Sequence, residues 1–146
     1  MKRIHKTALV SYSTPHMFEL VNDIESYPQF LPWCKSAKIL ERDEAQIKAS
    51  IMMGGTGLHK SFTTYNILKP NEWIEMRLVE GPFSHLQGFW NFHPLGEKGC
   101  KISLNLEFEI SNRLLRMSLE PVFTQIANNL VDAFVQRAHQ CYGTKT

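Results

Sequence analysis

Residues 100–110 read CKISLNLEFEI, and residues 113–142 read RLLRMSLEPVFTQIANNLVDAFVQRAHQCY. The first stretch alternates apolar and polar side chains, which is the period of a β-strand with one buried face. The second places apolar residues three and four apart, which predicts an amphipathic helix over residues 114–142. A strand followed by one long covering helix predicts a sheet that packs against this helix and encloses a space beneath it.

The apolar side of the predicted helix covers about half of the circumference, which is wider than the ~100° needed to lie on one sheet face. The helix is therefore expected to be deeply embedded or to line a cavity. Pro121 predicts a kink or a restart, with residues 112–120 forming a separate turn or two. Gly143 is expected to end the helix.

Upstream of residue 100 the chain reads as strands joined by turns of hairpin length, which predicts an antiparallel meander. Thr14 is a predicted N-cap with Pro15 at the first helical position, and this short helix is expected to end near Glu25. The segment 27–34 carries two prolines and three aromatic residues, so it is expected to pack against the core. The predicted strands cover residues 3–11, 37–42, 45–53, 58–68, 73–79, 85–93 and 100–110.

Composition places the chain in one class of protein. Its 146 residues are 43% hydrophobic and 21% charged, which fits a single domain over residues 1–146 with a real core. No apolar run approaches the ~18 residues of a membrane span, so a cytoplasmic protein is expected, with at most a transient membrane contact. The net charge of +2 argues against a DNA-binding surface and leaves a modest preference for acidic partners.

Residues suited to catalysis or metal binding are hard to find in the sequence. Three cysteines without Cys-x-x-Cys spacing indicate neither a disulfide framework nor a zinc site. Cys34 is the one candidate nucleophile, although a buried thiol is favoured because no cationic neighbour in sequence would lower its pKa. Glu107 and Glu109 lie on the polar face of their strand. The Gly54–Gly57 stretch lacks the Lys-Ser/Thr of a phosphate loop. We therefore expect no catalytic residue and no metal site.

The remaining pattern is that of an apolar cavity under the long helix, lined by aromatic and aliphatic side chains. A closed core built from the same residues is the alternative, because protein interiors normally pack to crystal-like density. Trp33 and Phe83 are predicted at the mouth. The predicted ligand-binding residues are Trp33, Phe62, Phe83, Leu86, Trp90, Phe92, Leu104, Phe108, Met117, Val122 and Ile126.

Three blocks of sequence resemble a known family. They are FELVNDIESYPQFLPWC at residues 18–34, EGPFSHLQGFWNF at residues 80–92, and the terminal helix with VDAFVQRA at residues 131–138. Together they resemble the START-like (SRPBCC) coenzyme Q-binding protein family, including its bacterial branch of ribosome-association toxins. The resemblance implies an α+β helix-grip fold, in which a curved antiparallel sheet of about six to seven strands wraps around the C-terminal helix, with one or two short helices after the first strand.

The resemblance also implies two functions. The first is non-enzymatic binding of a hydrophobic molecule, with ubiquinone or a related polyprenyl lipid as the ligand, no required cofactor, and a role in respiratory electron transport. The alternative is a toxin that binds the large ribosomal subunit and blocks subunit joining. Candidate phosphate contacts for the alternative are Lys2, Arg3, Lys6, Lys35, Lys38, Arg113 and Arg116. A cyclase or hydrolase in the same scaffold is a third class, which the lack of inward carboxylates and histidines opposes.

Overall fold

The computed structural model describes residues 1–54 and 59–143. Within these ranges the chain forms seven strands, two α-helices and one 3₁₀ helix. The elements, in chain order, are β1 (Lys2–Val10), α1 (Thr14–Asn22), the 3₁₀ helix (Ile24–Gln29), β2 (Cys34–Arg42), β3 (Gln46–Met53), β4 (Lys60–Lys69), β5 (Trp73–Glu80), β6 (Phe83–Leu95), β7 (Gly99–Ile110) and α2 (Arg113–Tyr142).

The strands form one antiparallel sheet in the order β1-β7-β6-β5-β4-β3-β2. Strands β2 to β7 follow one another as a meander, as the sequence predicts. The first strand departs from this order, because β1 pairs with β7 and so lies at the far edge. The order confirms the predicted helix-grip fold, with a curved sheet that faces the long C-terminal helix.

The two faces of β7 differ as its alternating sequence predicts. Its even-numbered residues from Cys100 to Ile110 are buried, while Lys101, Asn105 and the other odd-numbered residues lie on the outer face. Pairing with β7 also settles the faces of β1, which the sequence left open. Ile4 lies opposite Leu106, so it shares the inner face.

The short helix α1 begins one residue earlier than predicted. Ser13, rather than Thr14, is the N-cap, and its hydroxyl accepts a hydrogen bond of 3.4 Å from the His16 amide. The helix ends at Asn22 instead of near Glu25, and the 3₁₀ helix follows it directly.

Helix α2 is continuous, so the predicted restart at Pro121 is wrong. The Asn112 side chain caps the helix by accepting a hydrogen bond of 2.8 Å from the Leu115 amide. Pro121 lies inside the helix and is exposed. Proline removes one helical hydrogen bond, and on the exposed side the freed carbonyl can bind water instead. The helix ends at Tyr142 before Gly143, as predicted.

Helix α2 packs chiefly against β1 and β7, which form one side of the sheet. Its buried residues are Leu119, Phe123, Ala127, Val131, Phe134 and Ala138. Strands β4 and β6 contact the same buried residues of α2, through Phe62 on Phe123 and Trp90 on Phe134. No helix in residues 1–54 and 59–143 is both long and apolar enough to cross a membrane.

The Gly54–Gly57 stretch, one of the turns of hairpin length that the sequence predicts, lies in the connection between β3 and β4. Residues 55–58 lie outside the described ranges, so this prediction is untested within them. The two strands that flank the connection pair antiparallel, with Met53 opposite Lys60.

Candidate functional site

The candidate site is an apolar cavity between α2 and strands β3 to β6. Its volume is about 80 Å³. Ligand pockets for drug-sized molecules usually measure about 300–1,000 Å³, so this cavity has room for only a few heavy atoms. The interior is therefore neither the wide tunnel that a prenyl chain needs nor a fully closed core.

Five of the predicted ligand-binding residues line the cavity. They come from the segment before β2, from β4, from β6 and from α2, which are the elements that the long helix and the sheet bring together. Trp33 is half-buried, which suits the predicted mouth. The five are Trp33, Phe62, Leu86, Trp90 and Ile126.

Four predicted residues are buried beside the cavity rather than in its lining. Phe83 is 5% exposed, so its predicted place at the mouth is wrong. Its ring instead packs against Phe123 at a centroid distance of 4.9 Å, and Phe108 contacts the same Phe123 ring at 4.7 Å. These contacts give Phe83 and Phe108 a packing role, and all four residues belong to the main hydrophobic core. The four are Phe83, Phe92, Leu104 and Phe108.

Two predicted residues lie on the wrong side of α2. Met117 is 75% exposed and Val122 is 41% exposed, so neither reaches the cavity. The buried stripe of α2, which runs through Phe123, is narrower than the apolar side that the sequence predicts for this helix. Residues on the stripe recur at spacings of three and four, and at about 100° per residue both predicted residues fall well outside it.

The cavity wall also contains residues that the prediction missed. Tyr27, Ala127, Leu130 and Phe134 all line it. The three helical ones were on the predicted apolar side of α2. Only the structure shows that these three residues line the cavity.

Phe134 holds the aromatic segment 27–34 against the sheet. Its ring makes edge contacts with Tyr27 at 5.4 Å, with Phe30 at 5.3 Å and with Trp90 at 5.3 Å between centroids. The Arg137 guanidinium lies 5.0 Å above the Phe30 ring, which adds a cation–π contact. This cluster confirms the prediction that segment 27–34 packs against the core.

A polar pair interrupts the apolar lining. Thr64 and Asn66 lie on the same inner face of β4 as Phe62, and each is 6% exposed. The Thr64 hydroxyl donates a hydrogen bond of 2.9 Å to Asn66 Oδ1. Sequence alternation identified neither residue, because polar side chains are expected to face outward.

The cavity lining in the described ranges contains no carboxylate and no imidazole. Tyr27 is the titratable residue in it, and burial raises the pKa of its hydroxyl far above the ordinary value. That hydroxyl donates a hydrogen bond to the Val21 carbonyl. Among the described residues of the lining, none is therefore poised to exchange protons near neutral pH.

The thiol of Cys34 is poorly suited to nucleophilic attack. The side chain is buried, and burial raises its pKa to about 11. Because the thiolate is the reactive form, very little of this cysteine is reactive at neutral pH. The structure thus agrees with the prediction of a buried structural thiol.

The outer face of the sheet carries the carboxylates that the sequence placed there. Glu107 accepts a hydrogen bond of 2.9 Å from His85 Nε2 and one of 3.4 Å from Arg3 Nε. The His85 hydrogen bond is the main reason that the pKa of Glu107 is lowered. Across the described residues, no three or more His, Cys, Asp or Glu side chains are placed to hold a metal ion.

The sheet topology gathers basic side chains at one end of the molecule. At this end β1, β2, β4 and β6 begin, β3, β5 and β7 end, and α2 starts. Three carboxylates are also found here, those of Glu80, Glu107 and Glu109. We call the following six cations the basic end: Lys2, Arg3, Lys35, Lys60, Arg113 and Arg116.

Five of the seven predicted phosphate contacts belong to the basic end. Lys6 and Lys38 lie farther along their strands, opposite Leu104 and Ser50, so the structure separates them from the rest. The sequence missed Lys60, which only the pairing of β3 with β4 brings to this end. Arg3 forms an ion pair with Glu107.

A curved sheet that encloses an apolar cavity against a C-terminal helix defines a START-like, helix-grip protein. The family described as polyketide cyclase/dehydrase and lipid transport matches residues 10–135, and the chain belongs to this family.

Relatives confirm the resemblance seen in the sequence. The ribosome association toxin RatA of Pseudomonas aeruginosa is 47% identical over 140 residues, covering 96% of this chain and 97% of that protein. RatA of Escherichia coli is 44% identical over 145 residues, covering 99% and 92%. The mitochondrial coenzyme Q-binding protein COQ10 of Drosophila melanogaster is 28% identical over 143 residues, covering 94% and 59%.

Solved structures share the fold at lower identity. The ZhuI aromatase/cyclase from Streptomyces sp. R1128 has a TM-score of 0.84 at 19% identity, over 95% of this chain and 94% of that chain. A START superfamily protein from Mycobacterium smegmatis has a TM-score of 0.79 at 23% identity, over 95% and 98%. Norcoclaurine synthase from Thalictrum flavum has a TM-score of 0.69 at 18% identity, over 95% and 94%. The scaffold thus supports both enzymes and other proteins.

Proposed function

We propose that this protein associates with the ribosome, binds its large subunit and hinders subunit joining, so that it acts as a toxin of translation in the cytoplasm. The observation that carries the proposal is the 44–47% identity, over nearly the whole chain, to proteins named ribosome association toxins. The proposal reverses the order of the two functions predicted from sequence. The coenzyme Q-binding relative is more distant, at 28% identity.

The basic end supplies the surface for this association. Lys2, Arg113 and Arg116 are exposed and form no ion pair with a described residue. The two arginines lie in the first turn of α2, where the backbone dipole is also positive. A phosphate backbone would neutralise both charges, which is the interaction that ribosomal RNA offers.

Sedimentation of the purified chain with large ribosomal subunits tests the proposal. The Lys2→Glu, Arg113→Glu, Arg116→Glu triple variant should lose about three phosphate contacts. The slope of log affinity against log salt should then become shallower by about 2–3, since each contact contributes about 0.7–0.9 to it. We expect the wild type in the large-subunit peak at low salt and progressively less of it as salt increases.

A matched variant controls for net charge. Arg42→Glu, Lys98→Glu, Lys101→Glu changes the charge by the same amount at the opposite end of the sheet, where all three side chains are exposed. This variant should retain most of the wild-type affinity and its salt slope. Equal losses in both triple variants would show that the basic end is not the contact surface. Absence of the wild type from the peak at every salt concentration would refute ribosome association.

A second function is favoured by the cavity itself. We propose that it binds a neutral, mainly apolar molecule without chemical conversion, and that ubiquinone or a related lipid is its natural ligand in support of respiration. The lining of aromatic and aliphatic side chains supports this proposal. With a cavity of about 80 Å³, a ring or a few carbons fit as it stands. A prenyl tail must leave by the mouth at Trp33 or displace α2 from the sheet.

Mass spectrometry of an organic extract of the protein, purified from its native host, tests the second function. We expect a quinone or polyprenyl lipid at a substantial fraction of one molecule per chain. An extract from an exposed-surface variant, Met117→Ala, should contain the same amount, because Met117 is 75% exposed and does not line the cavity. An extract free of any apolar molecule would contradict ligand binding but leave ribosome association intact.

A further inference from the structure

The polar pair Thr64–Asn66 lies in the cavity lining, where it can contact a bound ligand. We propose that the Asn66 amide donates a hydrogen bond to a carbonyl oxygen of a neutral apolar ligand in the cavity. The inference rests on the proposed ligand binding and goes beyond it, because it names the chemical group that is recognised and the residue that recognises it.

The position of the pair is unusual for its residue types. Strand β4 points Phe62, Thr64 and Asn66 to the same inner face, where an apolar side chain is the usual occupant. Both polar side chains are 94% buried, at 6% exposure each. A buried amide is normally retained only when hydrogen bonds satisfy it, because its loss of water is costly.

The hydrogen bond between Thr64 and Asn66 does not use the N–H donors of the Asn66 amide. Thr64 donates to Asn66 Oδ1 at 2.9 Å, so the amide oxygen is occupied and the amide plane is held. This is the one hydrogen bond that the Asn66 side chain makes with a described residue. Because an asparagine amide nitrogen carries two N–H donors, the nitrogen is left to face the cavity that Asn66 lines.

The rest of the lining selects among possible acceptors. The described residues around the cavity include no lysine, arginine or histidine, so a carboxylate or phosphate would be buried without a counter-charge. The Tyr27 hydroxyl is already directed to the Val21 carbonyl. The acceptor is therefore expected to be neutral and part of an apolar molecule. A ring carbonyl flanked by hydrocarbon has both properties.

The alternative is that the pair only fixes the inner face of β4. In that case Asn66 would affect folding and would not distinguish one apolar ligand from another. The two ideas therefore differ in one measurable quantity, which is the ratio of affinities for two ligands that differ only in the carbonyl groups. We call this quantity the carbonyl preference.

Competition for a neutral fluorescent probe measures the carbonyl preference of the full chain. N-phenyl-1-naphthylamine is larger than the cavity of about 80 Å³, so it has to extend through the mouth at Trp33 or displace α2. It would be displaced with decyl-1,4-benzoquinone and, separately, with decylbenzene. We expect the wild type to prefer the quinone about tenfold, the value of one well-formed buried hydrogen bond. Asn66→Leu should bring the ratio close to one by weakening quinone binding while decylbenzene binds as before.

Two further variants make the test specific. Thr64→Val removes the donor that orients the amide, so an intermediate ratio is expected. Asn91→Leu makes the same substitution as Asn66→Leu on the outer face of β6, opposite Ser103, and should keep the wild-type ratio. Asn66→Leu also leaves the Thr64 hydroxyl without its acceptor, so the variant should melt somewhat lower than the wild type, and thermal unfolding without ligand checks that it still folds.

Each result decides the inference. A wild type that binds both molecules equally, or an Asn66→Leu variant that keeps the wild-type ratio, refutes the carbonyl contact and leaves apolar binding standing. A wild type that binds neither molecule refutes both. If Asn66→Leu does not fold, Thr64→Val decides: an unchanged ratio refutes the inference, and a reduced ratio supports it.

Discussion

Replacement of Phe134 by alanine is expected to lower the free energy of unfolding by about 3–5 kcal/mol, the usual cost of truncating a fully buried phenylalanine. Phe134 is 1% exposed and contacts Tyr27, Phe30 and Trp90 from its place on α2. The substitution would therefore loosen the helix, the segment before β2 and the sheet together. Urea denaturation followed by tryptophan fluorescence measures the loss.

Two variants show whether the loss comes from this cluster. Phe134→Leu keeps much of the buried volume and should cost less than Phe134→Ala. Met117→Ala lies on the same helix but is exposed, so it should change stability by no more than about 0.5 kcal/mol. A loss below about 1 kcal/mol for Phe134→Ala would mean that the cluster is not packed as the structure has it.

Gly81→Ala is expected to be the second large destabilisation, at about 2–4 kcal/mol from backbone strain and crowding together. Gly81 joins β5 to β6 with φ of 150°, a conformation that residues with a side chain rarely adopt. A Cβ atom there would also lie 2.6 Å from Phe62 Cβ. Because Phe62 lines the cavity, the strain should also reduce probe binding. Thermal and urea unfolding measure the first effect.

Gly96→Ala is the matched control. Gly96 also has a positive φ, 69°, but a Cβ atom at that position meets nothing within 4 Å. It should cost only about 1 kcal/mol, since backbone strain acts there without crowding. Equal costs at the two glycines would show that the contact with Phe62 relaxes freely.

The fold was predictable because its main elements have strong periods. The alternation in residues 100–110 and the three-and-four spacing after residue 113 each allow one type of element. The position of β1 beside β7 was not predictable in this way. Both faces of residues 3–11 contain apolar side chains, so only pairing with β7 decides that Ile4 points inward.

The cavity was predictable only in part, because an apolar side chain on a helix need not be buried. The buried residues of α2 span about 120° of its circumference at about 100° per residue. The apolar sequence spans about half of the circumference. Val122 lies on the apolar side of the helix but outside the buried stripe, and Met117 lies outside both. Neither side chain therefore reaches the cavity. Ala127 and Phe134 lie on the inner stripe and do.

The sequence gives conflicting signals for the polar pair. Thr64 and Asn66 share the parity of the predicted cavity residue Phe62, but their polar side chains and the apolar Ile67 on the other parity favour an outward position. Only the observed burial shows that the inner face carries them. A polar residue at an inward position is the signal to look for, and it requires the strand register to be known.

Within the part of the chain that the structure describes, the sheet is open at both margins, since β1 and β2 each pair with one strand. Unpaired margins of this kind invite a second chain to add a strand and start an aggregate. Lysines and arginines line both margins, among them Lys2, Lys6, Lys35 and Lys38, and like charges keep two such margins apart. Lys2 and Lys35 belong both to the margins and to the basic end, so replacing them with apolar residues should promote aggregation as well as weaken the proposed ribosome contact.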